Sequence, residues 1–168
     1  QTLLDLSSAD PGFDYRQVGI IDKNGKVGMH TGDSCRNWAG HELGKGFAVF
    51  GNVLTSSRTV ECMAKTYNDA KGTEFSDRLL LALESGRDAG GQASSDGSHL
   101  PERSAALSIR GVDIVQDIDL RVDMHDDAVK ELRQVYKNYV PYIEYYALRA
   151  RDPQNTPAQD VWVKEKIG

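Results

Sequence analysis

The 168-residue chain is poor in the residues that build covalent or metal-held frameworks. It contains two cysteines, Cys35 and Cys62, and they form no CxxC motif. A single pair of this kind is not a metal framework, so we expect two separate thiols, at least one of them buried. One disulfide, formed in an oxidising compartment, is the alternative. A chain of this length can bury one good core, and it needs neither a disulfide nor a metal to fold.

Two further absences exclude classes of partner. No apolar stretch approaches the roughly 20 residues that span a bilayer. The chain also has no run of basic residues. Its Lys and Arg total 20 and its Asp and Glu total 25, which gives a formal net charge of -5. This balance argues against nucleic acid or an anionic membrane as the main partner. A cytoplasmic and a secreted or periplasmic location are both compatible with the sequence.

The common cofactor motifs are absent as well. The sequence has no GxxxxGK[ST], no GxGxxG after a strand and no HExxH, and we expect no cofactor. With 39% hydrophobic and 27% charged residues, the composition is typical of a globular domain. The chain does not begin with Met, and an apolar pattern is already under way at Gln1–Leu4, which is an unusual opening for a domain.

The hydrophobic pattern predicts short strands and helices. The strands are predicted at Arg16–Asp22, Val27–His30, Phe47–Val53, Ser104–Ile109 and Ile118–Val122. Helices are predicted at Leu3–Ser8, from Ser57 to Gly72, from Thr73 onward, and from an Asp126 cap to beyond Tyr136. Strands grouped against grouped helices predict a layered α+β domain with mainly antiparallel sheets.

The connections carry their own signals. Asn24-Gly25 predicts a hairpin turn with positive φ at both positions. The glycine-rich segments Thr31–Gly46 and Gly86–Glu102 are predicted to be irregular. Pro141 is expected to bend or end the last helix, and the tail after Arg151 to be a linker or an arm.

The densest group of reactive side chains lies in and next to the loop Thr31–His41. This loop follows a hairpin strand, where a rigid scaffold can present a binding pocket, and we interpret it as part of one. A Cys35–His41 nucleophile pair is conceivable, but packing of the thiol against the loop is the favoured alternative. The candidate pocket residues here are His30, Thr31, Asp33, Cys35, Trp38 and His41.

Three candidates lie elsewhere in the sequence. Asn52, at the end of an apolar strand, can present its amide to a ligand or an oxyanion, or can simply be a turn residue. Arg103 can clamp a carboxylate or be an exposed strand-edge charge. Ser104 lacks the GxSxG context of a nucleophile elbow, so it is a candidate for binding only.

A second polar concentration, Asp123–Asp127, has the residue types that bind divalent cations. Its spacing matches no known cation loop. An aspartate cap with further acids in a first helical turn accounts for the same residues better. We therefore predict no metal ligands, and a metal-dependent hydrolase ranks third among the functions considered.

Five ordered blocks of sequence resemble the DUF1028 family of uncharacterised bacterial and archaeal proteins. The resemblance covers nearly everything from Leu3 to about Val135. The blocks are Asp10–Asp22, Thr31–His41, Gly51–Leu54, Arg103–Leu107 and Asp119–His125. The family is placed in the N-terminal nucleophile (Ntn) hydrolase superfamily, so the resemblance implies an αββα sandwich, with two antiparallel sheets between two helical layers.

The resemblance also implies where the nucleophile lies. In Ntn hydrolases a Thr, Ser or Cys at the mature N-terminus attacks the substrate, and its own α-amine is the general base. Thr2 opens a helical pattern rather than a central strand, so we reject it as the nucleophile. We expect the nucleophile in a segment before Gln1, and we expect another chain to cover any sheet edge that the absence of that segment exposes.

The leading hypothesis is therefore an Ntn-type hydrolase that cleaves an amide or a similar C–N bond of a small-molecule substrate. The alternative is a non-catalytic binding or assembly subunit that contacts its partner through the Tyr-rich segment Tyr136–Gly168. The expected partner is a second copy of the chain or a chain that carries the preceding segment. We divide the chain into residues 1–135, the C-terminal part of the family domain, and 136–168, a Tyr-rich helix with a Pro-containing tail.

Overall fold

A computed structural model describes residues 1–36, 38–112 and 117–166 of the chain. The chain forms two compact units, Gln1–Glu102 and Arg103–Gly168, and each is described by itself. Helix α4 (Ala128–Arg151) of the second unit runs through the position between residues 135 and 136. The division of the family domain from its tail at that position stays a prediction.

The first unit combines hairpins with a pair of helices. It begins with helix α1 and a single 3-10 turn at Phe13–Tyr15. The other elements are strands β1 (Gln17–Ile21), β2 (Val27–Thr31), β3 (Gly40–Gly44) and β4 (Phe47–Gly51), helices α2 (Arg58–Asp69) and α3 (Phe75–Asp88), and the short strands β5 (Gln92–Ala93) and β6 (His99–Leu100). Helix α1 covers Thr2–Ala9, close to the predicted bounds.

The first hairpin, β1–β2, is antiparallel, with Gln17 opposite Thr31 and Ile21 opposite Val27. The hairpin was predicted correctly, but its turn was not. Gly25 has a φ of +76°, and Asn24 is not among the residues with positive φ. The Asp22 carboxylate instead closes a longer loop by accepting from the Asn24 and Lys26 amides, so only one position needs the left-handed conformation.

The second hairpin, β3–β4, is antiparallel, with His41 opposite Phe50 and Gly44 opposite Phe47. Its first strand lies in a segment that the sequence predicted to be irregular. The strand depends on glycine, because a Cβ on Gly44 would lie 1.9 Å from the Phe47 ring. Strand β4 ends at Gly51, two residues before the predicted end at Val53, and its apolar residue Phe50 is exposed.

Helices α2 and α3 pack against each other, and α2 also contacts both strands of the second hairpin. Val60 and Leu80 are fully buried in this pair. Gly86 permits the close approach of the helices, because a Cβ there would lie 2.6 Å from Met63. Ser57 precedes α2 as predicted, although its side chain makes no capping hydrogen bond. Helix α2 therefore supports the second hairpin directly, and α3 packs on α2.

The second unit is a hairpin covered by a long helix. Strands β7 (Ala105–Ile109) and β8 (Ile118–Val122) pair antiparallel, and helix α4 (Ala128–Arg151) contacts both. The cap of α4 is Asp127, which accepts from the Lys130 amide, and not Asp126 as predicted. Pro141 lies inside α4 and does not end it.

The C-terminal tail is a helix rather than a linker. Helix α5 (Gln159–Lys166) contacts α4, and Trp162 is buried. The Tyr145 and Trp162 rings lie 5.7 Å apart between centroids, and the Tyr145 hydroxyl donates to the Pro157 carbonyl. Tyr136 and Tyr145 are buried within this unit, so they are unavailable to a partner, whereas Tyr146 is exposed.

The coarse fold class predicted from the sequence is confirmed. The chain mixes helices and strands, and every strand pair in the described ranges is an antiparallel two-stranded ladder. Within those same ranges, no helix has both the length and the apolar character that crossing a membrane would need.

Candidate functional site

An open cleft of about 500 Å³ lies in the first unit, between the loop after β2, strand β3 and the start of α2. Five of the predicted pocket residues line it: Thr31, Asp33, Cys35, Trp38 and His41. Sequence reasoning missed three polar residues of its wall, namely Glu42, Ser57 and Glu61. Ser57 is the residue just before α2 and Glu61 is in its first turn, and the sequence gives no signal that this end of the helix faces the loop.

The loop that lines the cleft is held by backbone hydrogen bonds to the 3-10 turn. The Gly32 amide donates to the Arg16 carbonyl at 3.0 Å, and the Ser34 amide donates to the Asp14 carbonyl at 2.9 Å. Gly32 is buried, and a Cβ there would lie 2.0 Å from the Asp14 carbonyl oxygen. This close approach is possible only for glycine.

The thiol of Cys35 makes a further hydrogen bond that holds the loop in place. Its Sγ donates to the Arg16 carbonyl at 3.5 Å, while His41 is bonded to Thr31. The structure therefore supports packing of Cys35 over a Cys35–His41 nucleophile pair. Cys35 and Cys62 are both free thiols and both half-buried, so the prediction of two separate thiols is confirmed, whereas the expectation of a buried one is not.

Trp38 forms an apolar part of the cleft wall. Its backbone exchanges two hydrogen bonds with Leu54, which fixes the loop to the segment after β4. Its ring lies against Gly40, where a Cβ would come within 2.3 Å of the indole. The indole therefore keeps its place only while residue 40 has no side chain.

Gln17 links both hairpins next to the cleft, and sequence reasoning missed it. Its Nε2 donates to the Gly51 carbonyl at 2.9 Å and lies 3.1 Å from both the Gly40 carbonyl and Thr31 Oγ1. Its Oε1 accepts from Asn52 Nδ2 at 3.2 Å. The sequence carried no signal for this role, because strand alternation places Gln17 on the same face as Gly19 and Ile21, which are exposed.

Thr31 and His41 meet across the two hairpins. Thr31 Oγ1 and His41 Nδ1 lie 2.9 Å apart, and both residues are half-buried. The pair lines the cleft directly. It is the one place in the described part of the cleft where a ring nitrogen and a hydroxyl are within hydrogen-bonding distance.

His30 is not among the residues that line the cleft, although it was predicted with the pocket. It precedes Thr31 in a strand, so its side chain points to the opposite face. Its ring stacks on Phe13 with centroids 3.9 Å apart, and its Nε2 donates to the Phe13 carbonyl at 3.0 Å. His30 therefore fastens the 3-10 turn to the sheet.

The remaining predicted residues serve other contacts. Asn52 is exposed and orients Gln17 rather than lining the cleft. Arg103 and Ser104 lie in the second unit, where Arg103 forms an ion pair with Asp126 and its carbonyl accepts from the His125 amide. Ser104 is exposed there.

Val53 has strained backbone geometry beside this region. Its φ is +56°, which is rare for a β-branched residue. Two hydrogen bonds hold the conformation: the Val53 amide donates to the Arg36 carbonyl, and the Val53 carbonyl accepts from the Ala93 amide at 2.7 Å. Strain of this kind concentrates at functional sites, so it agrees with a role for the neighbouring cleft.

The cleft is acidic. Asp33, Glu42 and Glu61 contribute carboxylates, and neither Lys nor Arg is among the described residues that line it. Its negative potential therefore disfavours anionic ligands. Within residues 1–36, 38–112 and 117–166, no group of three His, Cys, Asp or Glu side chains is placed to hold a metal ion. In the Asp123–Asp127 segment, His125 Nδ1 accepts from the Asp127 amide instead.

The Asp10–Arg16 ion pair, at 2.9 Å, stabilises the turn that anchors the cleft loop. The hydrogen bond from Arg16, followed by that from the Gly12 amide, lowers the pKa of Asp10 below its ordinary value of 3.8. A lowered carboxyl pKa stabilises the folded state above pH 3.8, and this contribution is lost as the pH falls further.

We expect Asp10→Asn to lower the melting temperature slightly near neutral pH, because the pair is exposed. The difference from the wild type should shrink as the pH falls below about 4, where the wild-type carboxyl is also protonated. Thermal unfolding followed by circular dichroism between pH 2 and 7 measures this. A difference that stays constant down to pH 2 would show that the charge of Asp10 is irrelevant.

A protein-family model described as a family of unknown function, DUF1028, matches residues 1–132. The fold is also similar to the crystal structure of a Silicibacter pomeroyi protein described as matching the same family model, with a TM-score of 0.68 and 25% sequence identity. That similarity covers 82% of this chain and 58% of the other, so the chain spans little more than half the length of that relative. No curated protein matches the chain.

Proposed function

The chain belongs to the DUF1028 family, and from that premise we propose that it forms part of an Ntn-type hydrolase that cleaves an amide or a similar C–N bond of a small molecule. The observation that carries the proposal is the cleft with the Thr31–His41 pair in its wall. A cleft of about 500 Å³ lies in the range of small-molecule sites.

The architecture supports the same proposal. Two antiparallel hairpins lie next to each other, and helix α2 packs on the second. This arrangement is compatible with one sheet pair and one helical layer of an αββα sandwich. In the proposal, segments outside residues 1–168 complete the sandwich.

The proposed nucleophile is a Thr, Ser or Cys that precedes Gln1, activated by its own α-amine. An α-amine has a pKa of about 8, which suits a general base near neutral pH. The thiol of Cys35 in the cleft is a poorer candidate for the nucleophile, because it donates to a backbone carbonyl. The cleft residues then bind and orient the substrate.

The charge of the cleft indicates the substrate class. Three carboxylates and neither Lys nor Arg are among the described residues that line the cleft, so it favours neutral or cationic amides over anionic ones. The Trp38 indole provides an aromatic surface against which an apolar or cationic group can pack.

The experiment uses protein expressed from the complete gene, incubated with a panel of small amides that carry cationic, neutral or anionic groups. We expect hydrolysis of neutral and cationic members, measured as released amine or ammonia. For a cationic substrate, Glu61→Gln should raise KM roughly two- to fivefold, the effect of one exposed charge pair.

Asp69→Asn is the matched control, because it removes one carboxylate from the other end of the same helix. Its KM should equal that of the wild type. Absence of hydrolysis across the panel, together with an intact mass that shows no terminal Thr, Ser or Cys, would contradict the proposal.

A second candidate is a non-catalytic binding or assembly subunit that keeps the fold. It is favoured by the apolar side chains that α4 leaves exposed, namely Val140, Tyr146 and Leu148. In this case the partner is a second copy of the chain or a chain that carries the preceding segment. Ligand binding without turnover, combined with self-association that Tyr146→Ser abolishes, would favour this candidate over the hydrolase.

A further inference from the structure

The hydrogen bonds around Gln17 have a defined direction. Gln17 Nε2 lies within bonding distance of the Gly40 and Gly51 carbonyl oxygens, and a carbonyl oxygen can only accept. The nitrogen and oxygen of the Gln17 amide are therefore assigned by their partners. The Asn52 amide, which donates to Gln17 Oε1, agrees with this assignment.

This direction extends to Thr31. Gln17 Nε2 also lies 3.1 Å from Thr31 Oγ1, and an amide nitrogen of this kind cannot accept. The two hydrogens of Nε2 are shared among three acceptors, of which Thr31 Oγ1 is one, so the hydroxyl accepts from Gln17 and keeps its own hydrogen for another partner. Among the described residues, His41 Nδ1, at 2.9 Å, is the only acceptor within reach of that hydrogen.

We propose that Gln17 and Thr31 are positioning residues that hold neutral His41 with its hydrogen on Nε2, so that His41 donates to the carbonyl oxygen of the substrate in the cleft. A ring nitrogen that accepts a hydrogen bond carries no hydrogen, so the other nitrogen of the neutral ring must carry it. His41 lines the cleft, and its Nε2 has no partner in the described ranges. The role toward substrate rests on the proposed function.

The chemical role is electrostatic. Attack of a nucleophile on an amide carbonyl places negative charge on the carbonyl oxygen, and a fixed N–H donor stabilises that charge. His41 transfers no proton in this step; it donates a hydrogen bond that strengthens as the charge develops. With His41 held by Thr31, the donor needs no reorientation when the substrate reacts.

Nuclear magnetic resonance of protein labelled with ¹⁵N-histidine tests the geometry, because ring nitrogen shifts and couplings distinguish the two neutral tautomers. The His41 signals are assigned as those missing in His41→Gln. We expect the Nε2–H tautomer at His41 in the wild type and in Thr31→Ser. In Thr31→Val and Gln17→Leu, the Nδ1–H form should appear.

His30 is the internal control, because it is next to Thr31 in β2 and donates from Nε2 to the Phe13 carbonyl of the 3-10 turn. Its tautomer should be unchanged in every variant that folds, which separates a loss of the Thr31 bond from unfolding. A wild-type His41 with its hydrogen on Nδ1, or a Thr31→Val tautomer identical to that of the wild type, would overturn the proposal.

Kinetics test the role toward substrate. On an amide that the wild type hydrolyses, His41→Ala should lower kcat on the order of 100-fold, as expected for loss of one oxyanion donor. Thr31→Val should lower kcat by a smaller factor with little change in KM, and Thr31→Ser should restore it. An acyl adduct on Thr31, found by mass spectrometry, would overturn its assignment as a positioning residue.

The two proposals fail in different ways. If no amide is hydrolysed but the tautomers behave as expected, the hydrolase proposal and the donor role toward substrate fail, while the positioning of His41 by Thr31 is supported. If amides are hydrolysed and His41→Ala retains full kcat, the hydrolase stands and the inference about His41 is wrong.

Discussion

Gly32→Ala is expected to destabilise the first unit by about 3 kcal/mol or more, because its Cβ has no space. The added carbon would lie 2.0 Å from the Asp14 carbonyl oxygen, which is backbone and accepts from the Ser34 amide. This clash is relieved only if the loop moves away from the 3-10 turn, and that movement breaks the hydrogen bonds that hold the loop of the cleft. Urea unfolding, followed by the fluorescence of Trp38 with both proteins carrying Trp162→Phe so that the second tryptophan does not contribute, measures the loss.

Gly28→Ala is the matched control, because its Cβ would lie 3.3 Å from the end of the Leu3 side chain, which can rotate away. Its free energy of unfolding should differ from that of the wild type by less than about 1 kcal/mol. Equal losses in the two variants would show that the contact between the loop and the turn does not constrain residue 32.

Leu132→Ala is expected to destabilise the second unit by about 2–5 kcal/mol, the range for a buried leucine. Leu132 has 0% exposure and lies on the face of α4 that also buries Val129 and Tyr136. The truncation removes apolar contacts and leaves a cavity that the hairpin β7–β8 cannot fill without bending. The loss is measured by urea unfolding followed by circular dichroism at helical wavelengths.

Leu148→Ala makes the same chemical change in the same helix at a position that is 36% exposed. We expect a loss of about 1–2 kcal/mol, smaller than that of Leu132→Ala, since about a third of its surface is already in water. If Leu132→Ala and Leu148→Ala lower the free energy of unfolding equally, helical propensity rather than burial would explain the effect at position 132.

The sequence predicts elements with a regular apolar–polar periodicity better than elements that depend on tertiary contacts. Strand β8 has the predicted bounds, because Ile118 and Leu120 alternate with Asp119 and Arg121. Strand β3 was missed, because its glycines look like loop residues until Phe47 is seen to occupy the space above Gly44. Helix α5 was missed for the same reason, since its one buried side chain, Trp162, needs Tyr145 as a partner.

The site shows the same limit. The loop Thr31–His41 could be recognised from its unusual mixture of side chains, and five of its predicted residues line the cleft. Gln17 could not be recognised, because its role depends on carbonyl groups from two later strands. His30 was assigned to the cleft because it is adjacent in sequence, although strand alternation places it on the other face.

The proline inside α4 divides the helix in its dynamics. Proline has no amide hydrogen, so the Lys137 carbonyl receives no bond from position 141. The first half of the helix is fixed by the buried side chains Val129 and Leu132, whereas the second half depends on Tyr145 and α5. We therefore expect the two halves to exchange their amide hydrogens as separate units in the native state, the C-terminal half opening without unfolding of the hairpin.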